Sequence, residues 1–293
     1  MSASLKLSKA TVLATPYPET APPIYGLLGE ARAALDIATV PLSLSQSLLT
    51  RKPKSQTDQK FLPVVMFPGF ASDQRYLKPL EIYLRNNGFY TEDWGQGFNV
   101  AGMNLSHTLE DLSESWEVEP YEGYDPEDYR GEAGVPFLCD RARDHVRERA
   151  QQWGSPVALV GWSLGGYIAR EVARDLTDDV AHVVTFGTPI IGGPKYTRAA
   201  KAFLKKGLNL NWIESETKKR DAKPIQQPIT AIVSKSDGVV NWQAAIDKVS
   251  PNVEHIEVDV AHLGMGFNRQ VWRLTERSLR THANKPELSE IRE

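Results

Sequence analysis

The chain has 293 residues, 41% hydrophobic and 24% charged, which suits one substantial core; it offers no apolar stretch long enough for stable membrane insertion. A formal charge of −3 supplies no basic field to gather nucleic acid, so no nucleic-acid partner is expected. Cys139 is the only cysteine, which excludes an intramolecular disulfide and a multi-cysteine zinc site, and it reads as a small buried hydrophobe.

Met1–Thr20 carries lysines but no continuous apolar run, so no secretory signal is read and a cytoplasmic location is expected. Thr15–Pro23 is proline-rich and extended, and Gly29–Ala38 starts a helix that Pro41 is expected to interrupt. Leu42, Leu44, Leu48 and Leu49 form an apolar patch that needs covering. An arm packed on the following domain or over its pocket satisfies this; a surface-seeking amphipathic element is the alternative. Arg51–Lys60 is polar and charged, so residues 1–60 divide off as an N-terminal arm and linker from a single domain over 61–293.

From there strands and helices alternate. Strands are expected at Leu62–Phe67, Gly88–Trp94, Pro156–Gly161, Val180–Phe186, Pro228–Val233 and Asn252–Val258, with helices at Tyr76–Asn86 and Leu263–Arg280. This is the pattern of an α/β fold: a mostly parallel sheet with helices on both faces. Two insertions interrupt it. Residues 110–148 are crowded with acids, among them Glu114, Glu117, Glu119, Glu122, Asp125, Glu127 and Asp128, interleaved with Trp116, Tyr121, Tyr124 and Tyr129. Residues 190–227 are basic, and Ala199, Ala202, Phe203 and Leu204 give them an apolar helical face. Pro194–Lys223 therefore reads as a lid helix that excludes water, with the acidic insertion packed on it electrostatically; two separately solvated charged faces are the alternative.

Gly161-Trp162-Ser163-Leu164-Gly165-Gly166 follows the apolar run Val157–Val160 and precedes a helix whose Leu164, Ile168, Val172 and Leu176 recur at four-residue steps. Strand, sharp turn, helix is the setting in which a G-x-S-x-G serine projects its hydroxyl, because small neighbours are needed where the chain doubles back. A Gly-rich turn with Ser163 as a plain helix cap shares the pattern. A nucleophilic serine also needs a base and an orienting acid. Asp237 lies in the turn after Pro228–Val233, and His262 in the loop after Val253–Val258. The order Ser163, Asp237, His262, each just past a strand's C-terminal end, fits the nucleophile-elbow arrangement. Glu257 and Asp259 are rival acids but sit too near His262 in sequence to turn back on it. His107, beside Ser106 and Thr108 at a capped helix start, is a second candidate base and a candidate pocket residue.

On these residues the span Leu62–Arg280 resembles the α/β-hydrolases of the serine esterase and lipase branch, and the fold that resemblance implies carries here an N-terminal arm and a lid-like insertion. Val64–Phe70 is similar to the strand and oxyanion loop that open that family's core, with Pro68-Gly69 where the family usually has His-Gly. The backbone donor survives the change; the histidine that often braces the loop is lost. The resemblance implies an oxyanion hole from the N–H groups of Phe70 and Leu164, although the Phe70 side chain also reads as a core aromatic. It implies hydrolysis of carboxylic esters through an acyl-enzyme, with no metal or organic cofactor. Trp162, Met265 and Phe267 are expected, with Phe70, to line an apolar pocket for a small-molecule or lipid-like ester. An acyltransferase using the same acyl-enzyme and a non-catalytic binding protein on the same fold are the alternatives; the oligomeric state is left open.

Overall fold

The computed structural model describes residues 4–23, 26–49, 63–120, 122–123 and 131–283. The linker expected at Arg51–Lys60, the side chains of Leu48 and Leu49, and Tyr121, Tyr124, Asp125, Glu127, Asp128 and Tyr129 lie outside the described residues. Among the described residues the sheet has seven strands: β1 Leu5–Lys6, β2 Val64–Phe67, β3 Thr91–Asp93, β4 Val157–Trp162, β5 Val180–Phe186, β6 Ile229–Ser234 and β7 Val253–Val258. They lie in the order β1, β7, β6, β5, β4, β2, β3. All neighbours are parallel except β1, which runs antiparallel to β7 with Leu5 opposite Glu257.

Strands β2, β4 and β6 are buried at every residue because helices cover both faces, and a strand covered on both sides is written as a continuous apolar run. On one face α3 Ala33–Leu49, α4 Gln74–Asn86 and α9 Arg269–Ala283 enclose Met66, Leu77, Phe186 and Trp272. On the other, α5 Gly134–Trp153 and α6 Leu164–Asp175 enclose Phe67, Leu138, Leu159 and Ile168. Each such side chain contributes about 1.5–3 kcal/mol by leaving water. Residues 134–148 of the acidic segment thus belong to α5, whose Leu138, Ala142, Val146 and Ala150 face the sheet at helical spacing. The helix expected to close the chain from Leu263 starts only at Arg269; a tight 3₁₀ turn, His262–Phe267, comes first.

The N-terminal residues are woven into this frame. Besides β1, they form α1 Lys9–Ala14 and α2 Gly26–Glu30, and Leu7 and Val12 pack with Val233, Ala245 and Ile246. Residues 13–20 strap across the surface, where Leu13 O accepts from Lys248 Nζ at 3.2 Å and Thr20 O from Asn241 Nδ2 at 2.8 Å. Helix α3 runs through Pro41, where an interruption was expected. The proline forfeits one backbone bond, a loss of about 3 kcal/mol in a free helix. Val40 and Leu44 on either side of it pack on the core and hold the helix together, while Leu42 stays exposed.

The basic segment holds two helices, α7 Ala200–Lys205 and α8 Leu210–Lys219, rather than the single lid helix expected, and Gly207 at φ 80° turns the chain between them. Its strongest charge pairing is with α6: Arg220 meets Glu171 at 2.8 Å and Asp175 at 2.9 Å, all three buried or nearly so. Burial raises the Glu171 carboxyl, but the guanidiniums of Arg174 and Arg220 outweigh it and hold the group below its ordinary value. The acidic segment meets the basic one through Trp212 Nε1, which donates to Glu119 O at 2.9 Å, and through Trp116, which lies under the Arg220 guanidinium. The charge pair between them, Lys219 with Glu119 at 3.8 Å, is exposed and contributes little. Among the described residues no helix is long and apolar enough to cross a membrane.

Candidate active site

Ser163 stands between β4 and α6 at φ 52°, ψ −127°, a strained conformation for a non-glycine residue, and its neighbours explain how the turn closes. A side chain on Gly161 would strike the backbone of Gly166 at 2.4 Å, and one on Gly165 would strike the carbonyl of Phe67 at 2.3 Å. Small residues at these positions let strand and helix approach closely enough to push the serine out.

Asp237 follows β6 and His262 follows β7, both at the carboxyl ends of parallel strands, beside Ser163 after β4. His262 Nδ1 lies 2.7 Å from Asp237 Oδ2, and His262 Nε2 lies 3.1 Å from Ser163 Oγ. With the Nδ1 proton directed at a carboxylate, Nε2 is the free acceptor for the serine hydroxyl. Both acid and imidazole are buried, and Asp237 Oδ1 is occupied by the N–H groups of Val239 and Val240 at 2.8 and 2.7 Å. The rival acids are engaged elsewhere: Asp259 with Arg32 at 3.1 Å and Ser236 at 2.6 Å, Glu257 with Lys235 at 2.9 Å.

Leu164 follows Ser163 in sequence, and Phe70 follows Gly69, where an added side chain would meet Ser163 Cβ at 3.0 Å; among the described residues neither the Phe70 nor the Leu164 N–H has a hydrogen-bond acceptor. Asn99, fully buried, braces the loop that presents Phe70. Its Nδ2 donates to Pro68 O at 2.8 Å, and its backbone carbonyl accepts from Ala71 N at 2.7 Å. The loop therefore has a polar brace in the absence of a histidine after β2. Sequence reasoning missed Asn99, whose partner lies 31 positions away.

A cavity partly open to solvent begins at Ser163 and His262. Its walls include Phe70, Trp162 and Leu164, and its roof is built by Phe203, Trp212 and Ile213 of the two basic-segment helices. Three expected pocket residues do not line it. His107 is buried against Phe137 of α5, rings parallel at 5.0 Å, with Nδ1 2.8 Å from Leu105 O, which commits it to packing. Met265 is fully buried in the core, and Phe267 meets the edge of Tyr76 at 5.0 Å, because the tight turn after His262 carries both away from the cavity. Trp162 does reach the cavity, and its ring stacks on Tyr76 at 3.6 Å. Tyr76 in turn donates to Leu263 O at 3.1 Å; burial pushes its phenol well above the ordinary value, so it remains a donor. Among the described residues no group of three His, Cys, Asp or Glu side chains could hold a metal ion.

A membrane phospholipase A described as a bacterial virulence factor superposes with a TM-score of 0.51 at 12% identity, covering 86% of this chain and 93% of that one. A candidate lipase from Acinetobacter baumannii AYE gives 0.51 at 14% identity, covering 84% and 97%. The chain has the α/β-hydrolase fold. No family model matches it, and no curated protein matches it in sequence. In the α/β-hydrolase fold seen here, the cavity opens where the parallel strands end, and Ser163 and His262 both line it.

Proposed function

We propose that the protein is a serine hydrolase acting on carboxylic esters with an apolar acyl chain. The line from Asp237 through His262 to Ser163, at 2.7 and 3.1 Å, carries the reading. In it the Ser163 hydroxyl attacks the ester carbonyl while His262 Nε2 takes its proton, and Asp237 holds the resulting imidazolium. The carbonyl oxygen becomes an oxyanion facing the Phe70 and Leu164 N–H groups. Collapse returns the proton from Nε2 to the departing alkoxide, releasing the alcohol and leaving an acyl-serine. A water deprotonated by His262 then attacks this ester, and as its bond to Ser163 breaks, Nε2 returns the proton to Ser163 Oγ and the acid is released. The apolar walls and the roof of α7 and α8 support an acyl or lipid-like substrate and a lid that keeps water from the reacting carbon.

The test is a chain-length series of chromogenic esters on the wild type and on Ser163→Ala, with organophosphonate labelling of both. Hydrolysis and labelling by the wild type, lost in the variant, support the proposal. A wild type that neither hydrolyses any member nor labels at Ser163 removes it.

A further inference from the structure

Glu30 is the last residue of α2, it is buried, and its carboxylate is spent on backbone N–H groups. Oε1 accepts from Gly238 N at 2.8 Å and from His262 N at 2.9 Å, and Oε2 accepts from Leu263 N at 2.8 Å. Gly238 follows Asp237. One side chain from the N-terminal arm thus fastens together the turn that carries the acid and the turn that carries the imidazole.

Two further observations show that this junction is built closely. A side chain on Gly238 would strike Gly26 O at 2.3 Å and Glu30 Oε1 at 3.0 Å, so the approach of α2 requires glycine there. The 3₁₀ turn that begins at His262 follows Ala261, which has no side-chain oxygen to cap it, and Glu30 supplies that acceptor from outside. The acid turn keeps internal bonds of its own through Asp237 Oδ1, whereas among the described residues the N–H groups of His262 and Leu263 have Glu30 alone.

We infer that Glu30 is a positioning residue, which sets the imidazole of His262 against Asp237 and Ser163 by clamping both turns. The inference rests on the reading of those three residues as the reacting set. Loss of the clamp lets the two turns shift independently, and displacement of a reacting group by about 1 Å is enough to cost on the order of a hundredfold in rate.

The test uses the full chain with Glu30→Ala and Glu30→Gln, and with Arg32→Ala as control. Arg32 ties the same arm to Asp259 through an exposed ion pair that bonds neither His262 nor Gly238. Rates are taken per phosphonate-reactive serine, so unfolded protein does not count. Glu30→Ala is expected to lower kcat by on the order of ten- to a hundredfold, with KM changed by less than about twofold. Glu30→Gln, which keeps one acceptor oxygen, recovers most of the rate, and Arg32→Ala leaves it unchanged. Equal kcat per site in Glu30→Ala, alongside a lowered Tm, overturns the inference and leaves Glu30 a fold-stabilising residue.

A second readout needs no substrate. A proton on His262 Nδ1, held to Asp237 at 2.7 Å, is expected to give a downfield NMR resonance. Its loss or displacement in Glu30→Ala supports the clamp, and an unmoved resonance overturns it. An inactive wild type would refute the hydrolase reading, while this resonance would still decide the role of Glu30.

Discussion

Asp237 divides its two carboxylate oxygens: Oδ2 meets His262 Nδ1 at 2.7 Å, and Oδ1 takes the N–H groups of Val239 and Val240. The second set fixes the carboxylate in its turn, so the first holds the imidazole in one tautomer. Asp237→Asn keeps the turn but replaces the acceptor facing Nδ1 with a donor or a weaker acceptor. We expect kcat to fall by on the order of 10³–10⁴-fold with Tm nearly unchanged. Asp259→Asn, which removes the charge of an exposed pair with Arg32 and keeps an acceptor oxygen for Ser236, is expected to keep activity within about twofold. Comparable losses in both variants would remove Asp237 from its orienting role.

The serine turn was legible because its causes are local: an apolar run, small residues two positions either side of Ser163, and a helical repeat after it. The placement of Asp237 and His262 beside Ser163 was legible through a topological rule, since both follow predicted strands. Glu30 was not, because its role depends on a contact 208 positions away along the chain, from a helix of five residues. Met265 and Phe267 were misplaced because nearness to His262 in sequence says nothing of direction: the 3₁₀ turn buries Met265 in the core and sets Phe267 against Tyr76. Pro41 was read as a stop from backbone chemistry alone, whereas the packing of Val40 and Leu44 decides the outcome.

Asn99 braces the loop that leads to Phe70, and its two side-chain bonds, to Pro68 O at 2.8 Å and from Ala101 N at 3.1 Å, lie in the interior. Asn99→Ala leaves both backbone groups without partners, which costs about 1–3 kcal/mol. Asn99→Asp keeps the acceptor for Ala101 but cannot donate to Pro68. Denaturant unfolding and ester kinetics should show lowered stability in both variants, and a kcat loss larger than the KM change as the Phe70 N–H drifts from the oxyanion. Full activity in Asn99→Ala would separate the loop from catalysis.

Ile213 projects from α8 into the roof of the cavity, where extra volume shortens the space available to an acyl chain. Ile213→Phe is expected to lower kcat/KM for the longest esters by about tenfold while short esters change by less than about twofold. A uniform loss across the series would mean that the acyl chain lies elsewhere.

His255 supplies a pH dependence that is independent of catalysis. It is buried in β7, and its Nε2 accepts the N–H of Asp247 at 3.0 Å, a bond available only to the neutral ring. Burial is the largest influence on the ring and lowers its pKa from 6.5 to about 4, against the pull of the Asp247 carboxylate and with help from Arg170. Between those two values the unfolded chain holds a proton on this residue that the folded chain refuses. Stability therefore rises with pH across this window; it is fully present above about 6.5 and is lost progressively as pH falls towards about 4, to a limit of about 3 kcal/mol from this group. His255→Gln keeps an acceptor for Asp247 N without a titrating ring. Denaturant midpoints measured at pH 7 and pH 5 should fall with acid in the wild type and fall less in the variant. An equal fall in both would place the acid sensitivity in other groups.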